Sequence, residues 1–560
     1  MSRLALHVAL ALLLAFVALR ALRAPASEFG DGREYVLQSQ AIVFDHSLAV
    51  DPARRVPYFN ETNPFGLQLD ASRTAPPDPD AEGEDRQFGG TLGSLYLSSD
   101  GSYRYIHPWV YSLAVAPVYA VLHLLSPGPN EYLAFRITNI IVLFVPLVLL
   151  WRRSPSWETL LFLVVLLASP ISPHLQFSHP EAFCLGLVLA SFASARPGRF
   201  RVPSPFLLGV AAAQNVPIAL FFPLHFWLLW REAGVGRGEI SARLCLRALL
   251  PYAAAATLPA ALLLYSSEHF GALSLIAHLG QADFSYLSAR KLLAVFISPM
   301  IGCLWYLPAS WLAVLVALGR GQLRQATIFV VSVIFVAALS STTANINSAQ
   351  LSACRYAVWY LGPLYVLPFL FRRGAELRLQ RRETFIFSAG LLLVALIWLQ
   401  LGTWRFLNGE SFRFLSSQRA VPEVAALYRL THLHDDVEPM VENIRQREIP
   451  VAHRFRGIYI WNLGEGQSVW IVTQRAMNTS HTIEVRVVGD LASAPEVTSA
   501  FEISQRSGDL FRLTLRSGTS FHRHPYLGGY LLLWVPVRVE GVRSEAPVVL
   551  APTVRPSTTP

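Results

Sequence analysis

PFLLGVAAAQNVPIALFFPLHFWLLW, residues 205 to 230, is apolar almost throughout, and the number of times it crosses a bilayer sets the side of every loop after it. As one helix it crosses once, and Arg231, Arg237 and Arg243, which follow directly, face outward with all later basic loops. As a hairpin of two short spans broken near Gln214, Asn215 and Pro217, it returns those arginines to the inner side. Positive charge collects on the cytoplasmic ends of spans, so the charge pattern selects the hairpin.

A bilayer crossing takes roughly 17 to 25 mostly apolar residues, because a helix must satisfy its own backbone where there is no water. Candidates are residues 4–23, 133–151, 157–173, 180–195, 245–265, 298–318, 326–341, 356–371 and 384–403. With the hairpin counted twice, the chain reads as a polytopic α-helical membrane protein of about eleven transmembrane helices. The cytoplasmic connections then carry Arg152 and Arg153; Arg196, Arg199 and Arg201; Arg320 and Arg324; and Arg372, Arg373, Arg378, Arg381 and Arg382. The N-terminus is cytoplasmic and the C-terminus extracytoplasmic. The basic start and Ala-Pro-Ala-Ser exit of the first span also admit a cleaved signal peptide.

Composition agrees with lipid as the main solvent: 53% of the 560 residues are hydrophobic and 15% charged, with mean hydropathy +0.40. The net charge of +9 lies in short clusters between apolar runs rather than on one basic face, which argues against a nucleic-acid partner. Lys291 is the only lysine among 46 basic residues, a bias expected of a GC-rich bacterial genome. Cys184, Cys245, Cys303 and Cys354 sit in or beside apolar runs without CxxC spacing and read as buried spacers.

Two hydrophilic regions fall outside, residues 24–132 and 404–560. In the first, Pro76 to Asp85 (PPDPDAEGED) is an acidic loop, to which no chemistry is assigned. The stretch 107–125 (HPWVYSLAVAPVYAVLHLL) is apolar enough to cross, yet a crossing there would turn Arg152 and Arg153 outward. It therefore reads as an interfacial helix on the outer face. Beyond residue 403, a helical connector (404–446) leads to alternating strands at 457–463, 468–474, 481–489, 510–516 and 529–539. These make a β-sandwich-like extracytoplasmic domain over 447–545, with a disordered tail at 546–560.

Titratable residues gather at the outer ends of the spans. Asp31, Glu34, Asp45, His46 and Asp51 follow the first span. His174, His179 and Glu181 interrupt two others, and Glu181 opens a helix after a proline. The helix dipole accounts fully for an acid at that position; an acid at the rim also suits a membrane-embedded transferase. Arg290, Lys291 and Arg355 suit either phosphate recognition or snorkelling anchors.

In this order the motifs resemble the GT-C superfamily of polyprenyl-phosphate-sugar-dependent glycosyltransferases, in the bacterial branch related to lipid A aminoarabinose transferases and protein O-mannosyltransferases. The likeness covers roughly residues 1–403, the GT-C-like transmembrane domain. The acidic motif after the first span is Asp31, Gly32, Arg33, Glu34, Tyr35, with Gly32 where the family has a second acid. His107-Pro108-Trp109 stands for a [KH]PP motif lacking its second proline, and Arg136 for an early arginine in the next span. FISPMIGCLWYLP (296–308) and CRYAVWYLGPLYVLP (354–368) match two further stretches.

The resemblance implies inverting transfer of one sugar from a polyprenyl-phosphate donor to an outward-facing glycan, lipid or protein acceptor, in a bacterial cytoplasmic (inner) membrane. It makes Asp31 the general base. Glu181 would orient the acceptor or share a divalent cation (Mg or Mn). His107 and Arg355 would meet the lipid phosphate, with Arg290 and Lys291 behind them, and Glu34, Tyr35, Arg136, His179 and Tyr356 would complete the binding site. No dedicated metal ligands are identified. Two other classes stay open: a transporter or flippase for lipid-linked substrates, and an inactive scaffold whose β-domain binds glycans.

Overall fold

The computed structural model describes residues 2–24, 32–62, 95–126, 131–195, 203–232, 242–278, 282–284, 287–297, 302–343 and 354–370, and a set of strands between Ile458 and Leu550. Its contacts divide the chain into two units, Met1–Phe88 with Ser94–Pro439, and Gly89–Gly93 with Met440–Pro560.

The first unit is mostly helical. Helix α1 (Arg3–Arg23) starts on Ser2, whose hydroxyl accepts from the Ala5 amide at 3.3 Å. Helix α2 (Gly32–Gln40) runs into a π-helical turn, Ala41–Asp45, which His46 closes in the left-handed conformation (φ 50°). After α3 (Pro52–Thr62), strands β1 (Leu95–Leu97) and β2 (Tyr103–Tyr105) form an antiparallel hairpin. There follow α4 (Val110–Leu125), α5 (Glu131–Arg153), α6 (Trp157–Leu167), α7 (Glu181–Ser194), α8 (Pro203–Gln214), α9 (Phe222–Glu232), α10 (Ala242–Phe270), α11 (Leu275–His278), α12 (Ala289–Ile297), α13 (Cys303–Tyr306), α14 (Pro308–Gly319), α15 (Leu323–Ser340), α16 (Ala357–Tyr360) and α17 (Gly362–Val366).

Among the described residues, four helices are long and apolar enough to cross a membrane: Arg3–Arg23, Glu131–Arg153, Ala248–Phe270 and Leu323–Ser340. The other apolar runs give helices of 10–17 residues. Hydropathy does not register where an apolar run is interrupted. Residues 157–173 are helical only to Leu167, because Pro170 and Pro173 cannot continue the ladder and Ser169 turns its hydroxyl back to the Leu166 carbonyl at 2.6 Å. Pro308 separates α13 from α14, and Pro363 and Pro368 break 356–371 into α16, α17 and a 3-10 turn. The expected span 384–403 and the connector 404–446 lie outside the described residues.

Cross-contacts fix the direction of each helix. The Ser191 hydroxyl on α7 donates to the Ser204 carbonyl at the start of α8 (2.7 Å), and the Ser191 carbonyl meets His225 Nε2 on α9 (3.2 Å). Asn215, between α8 and α9, instead reaches Cys184 Sγ at 3.1 Å, near the start of α7. Residues 205–230 thus ascend along α7, reverse at Asn215-Val216-Pro217 and descend, the hairpin that the charge pattern selects. Close approach lets these helices pack. A Cβ on Gly186 would lie 2.4 Å from the Val142 carbonyl oxygen of α5, and one on Gly209 would lie 2.5 Å from the Ala255 oxygen of α10.

Contacts also separate two ends of the bundle. At one, Arg355 meets Glu181; farther along, Gly362 packs on Val188, and at the other end Arg320 Nη1 donates to the Pro368 carbonyl at 3.1 Å. His7 stacks edge-on against Trp151 (5.6 Å), which puts Arg152 and Arg153 beside the start of α1. The turns bearing Arg152, Arg153, Arg231 and Arg320 therefore lie at the ends of their helices remote from Glu181.

In the second unit, β3 (Ile458–Ile460) pairs in parallel with β11 (Val548–Leu550). A four-stranded antiparallel sheet joins β10 (Arg538–Ser544), β5 (Thr482–Val488), β7 (Leu510–Leu515) and β6 (Phe501–Ser507) in that order. A third sheet orders β4 (Ser468–Val472), β9 (Gly528–Trp534) and β8 (His522–His524). Phe501, Phe511 and Leu513 are buried, and the period of two between the last two gives the sheet a core face. The expected strand 529–539 divides into β9 and β10, with Pro536 between them.

Candidate active site

The site is built from the N-terminal turns of α2, α4 and α7 and the residues just before α16. Glu34, in the first turn of α2, directs Oε2 to within 3.5 Å of His107 Nε2, and both side chains are largely buried. Tyr35, the next residue, presents its ring to three neighbours: Tyr111 at 5.4 Å, His107 at 6.2 Å and His179 at 6.5 Å. His179 Nδ1 lies 3.7 Å from Glu181 Oε2, and Glu181 Oε1 lies 3.5 Å from Arg355 Nε. The Arg355 guanidinium packs 4.9 Å over the Tyr356 ring and donates through Nη2 to the Tyr356 hydroxyl at 3.0 Å. Seven residues singled out in the sequence, Glu34, Tyr35, His107, His179, Glu181, Arg355 and Tyr356, thus form one cluster.

A polar column holds the cluster in register. Gln214, the last residue of α8, donates to the Tyr35 hydroxyl (3.2 Å) and accepts from the Tyr111 amide (2.7 Å). The Tyr111 hydroxyl donates to Asn139 Oδ1 (3.0 Å), and Asn139 Nδ2 donates to the carbonyls of His174 (3.3 Å) and Phe177 (3.0 Å). This fixes the turn that presents His174, His179 and Glu181. Ser112 ties α4 to the Tyr35 carbonyl at 3.1 Å. None of Tyr111, Gln214 and Asn139 was assigned a site role from sequence; a polar residue such as Asn139 within an apolar span is the signal that marks it.

The His174 imidazole is wholly buried, and burial pushes it down to about 4 against the pull of Glu181. His174 Nδ1 and Glu181 Oε2 are both buried and make no hydrogen bond. A neutral imidazole beside a carboxylate and a guanidinium offers proton acceptors and a fixed cation within one small volume.

Two expected site residues, Arg136 and Lys291, make their bonds elsewhere. Arg136 donates through Nη1 to the carbonyls of Leu22 (3.2 Å) and Ala24 (2.7 Å), closing the C-terminal end of α1. Lys291 Nζ donates to the Thr343 carbonyl. Arg290 lies in α12, and only its backbone is described. Asp31 lies outside the described residues, directly before α2 in the chain. Among the described residues no group of three or more His, Cys, Asp and Glu is arranged to hold a metal ion.

A second buried polar group escaped the sequence reading. Glu131 Oε1 accepts from Gln40 Nε2 (2.8 Å) and from the Tyr119 hydroxyl (3.0 Å), which also lies 3.4 Å from the Tyr58 hydroxyl. Its partners come from α2 and α4, with α3 joined through Tyr119, so it ties these helices to the start of α5. No protein-family model, no curated protein and no solved structure matches the chain.

Proposed function

We propose that the chain is a membrane-embedded glycosyltransferase of GT-C type, moving a sugar from a polyprenyl phosphate to an acceptor on the extracytoplasmic face. The observation that carries this reading is the cluster itself: two carboxylates, Glu34 and Glu181, each opposite a basic partner, His107 and Arg355, around the one ring of Tyr35. The short apolar helices join with the long ones to give about eleven crossings of the bacterial inner membrane. The remote arginine turns face the cytoplasm and the cluster faces outward. Asp31 keeps the base role that the resemblance gives it.

In the reaction, the acceptor hydroxyl loses its proton to a carboxylate as its oxygen attacks the anomeric carbon. The bond from that carbon to the carrier phosphate breaks on the opposite face, inverting the centre. The charge released on the phosphate meets Arg355, whose guanidinium matches phosphate oxygens. Glu181, beside Arg355, orients the acceptor.

The test is transfer of a labelled sugar from polyprenyl-phosphate donors by the purified full-length protein in lipid nanodiscs. Glu181→Gln keeps the side-chain shape and should cost about a hundredfold or more in turnover, with an unchanged melting temperature. Transfer by Glu181→Gln at the wild-type rate removes Glu181 from the mechanism. A wild type inert with every donor tried removes the transferase reading.

A further inference from the structure

Far from Glu34 in sequence, the tip of the β1–β2 hairpin docks on the C-terminal end of α10. The Ser99 amide donates to the His269 carbonyl at 2.8 Å and the Ser99 hydroxyl to the Glu268 carbonyl at 2.9 Å. These are carbonyls of the last helical turn, which have no partner within their own helix. The tip is itself rigid. Asp100 Oδ1 accepts from the Ser102 hydroxyl (2.6 Å) and amide (2.9 Å), and Gly101 takes the left-handed conformation (φ 78°) that the turn requires. The Ser102 hydroxyl, with its amide and the Arg104 guanidinium, holds the Asp100 carboxyl well below the usual carboxylate range.

Arg104 joins tip to helix. Nη2 donates to Asp100 Oδ2 (2.9 Å), Nε donates to the Ser102 hydroxyl (3.0 Å) and Nη1 donates to the Tyr265 hydroxyl (2.7 Å), with the guanidinium 5.4 Å over the Tyr265 ring. Tyr265 also packs edge-on against Trp109 at 6.2 Å. Strand β2 ends at Tyr105, two residues before His107, and Trp109 lies two residues after it. The segment carrying His107 is therefore held on both sides by contacts to one tyrosine of α10. His107 is the residue that faces Glu34.

We propose that Arg104 and Tyr265 are positioning residues that act through the 105–109 segment to hold His107 against Glu34, coupling the end of α10 to the active site. The inference rests on the transferase reading for what His107 does there; the contact and its test do not. A clamp of this kind needs no contact with substrate. It works by fixing a backbone whose movement by about 1 Å would undo the pairing.

The full-length protein in nanodiscs is treated with diethyl pyrocarbonate, and carbethoxylation of His107 is followed by peptide mass, beside amide exchange at Ser99 and Ser102. Arg104→Ala removes the bonds to Asp100, Ser102 and Tyr265 together and should raise both the His107 modification rate and the exchange by about fivefold or more. Arg104→Lys should restore most of the protection. Tyr265→Phe keeps the ring against Trp109 and removes only the acceptor, giving a smaller rise that guards against a general folding defect. In the transferase assay, turnover falls as the His107–Glu34 pairing is lost. Faster exchange at Ser99 with His107 reactivity unchanged overturns the proposal, and so does no change in either. Because His107 reactivity is read without sugar transfer, a failed transferase reading is told apart from a failed clamp.

Discussion

The polar column and the acid–base cluster meet at the same places, α2, the start of α4 and the turn before α7, and are wired in opposite ways. In the column, Asn139 reaches three partners at 3.0 to 3.3 Å and Gln214 two at 2.7 and 3.2 Å, each within hydrogen-bond range. In the cluster, the Glu34–His107, Glu181–His179 and Glu181–Arg355 pairs stand at 3.5 to 3.7 Å, too long for strong hydrogen bonds. A column with every bond made can only hold its shape. Acid–base pairs set at these distances can still tighten on a substrate, as groups at a reacting centre do. The difference divides scaffold from site within a few residues of one chain.

The division breaks most readily at His174, whose carbonyl belongs to the column and whose ring belongs to the cluster. Its imidazole titrates near 6.5 when unfolded and about 4 in the fold. Between those values the unfolded chain binds the proton and the folded one does not, so stability rises with pH through the window and is lost as pH falls. The group accounts for on the order of 3 kcal/mol at the acid end. Melting temperatures of wild type and His174→Gln in nanodiscs should diverge below pH 6.5 and run parallel above it. Parallel curves down to pH 4 would mean that the ring shares the adjustable surroundings of Glu181 rather than a dry pocket.

Asn139→Ala probes the column alone. Three interhelical bonds are lost, which in apolar surroundings amounts to about 2 kcal/mol, and the loss should not vary with pH. Thermal denaturation at pH 5 and pH 8 checks both points. A loss confined to one pH, or turnover reduced without any loss of stability, would move Asn139 from scaffold to site.

How much of this was legible in the sequence depends on the range of the force involved. The reversal at Gln214, Asn215 and Pro217 was readable, because the spacing of the arginine clusters around it favours an even number of passes there. Glu34, His107, Glu181 and Arg355 were readable as a set because motif order survives in a linear string. The interruptions at Pro170, Pro308 and Pro363 were underweighted, because summed hydropathy scores residues and not the ladder they break. Glu131 was missed because what buries it is a glutamine 91 residues away and two tyrosines on other helices. The Ser99–His269 docking likewise joins a hairpin tip to a distant helix end by backbone groups that any sequence has.

Arg136 brings the smallest effect and separates motif from geometry. By motif order it would bind substrate; in the fold it closes α1 through the carbonyls of Leu22 and Ala24. A capping role predicts that Arg136→Lys keeps the charge but loses one of two carbonyl bonds, a destabilisation of about 1 kcal/mol. Turnover and KM for a polyprenyl-phosphate donor should then stay within a factor of about two of wild type. Lysine lacks the fork that engages phosphate, so a substrate role predicts the reverse, with KM raised about tenfold or more and the melting temperature unmoved. Measuring both on one preparation decides whether this arginine belongs with Asn139 or with Arg355. Both carbonyl bonds come from Nη1, while Nε and Nη2 are buried without a hydrogen-bond partner, so the outcome turns on whether that second edge of the guanidinium meets a phosphate or only packs.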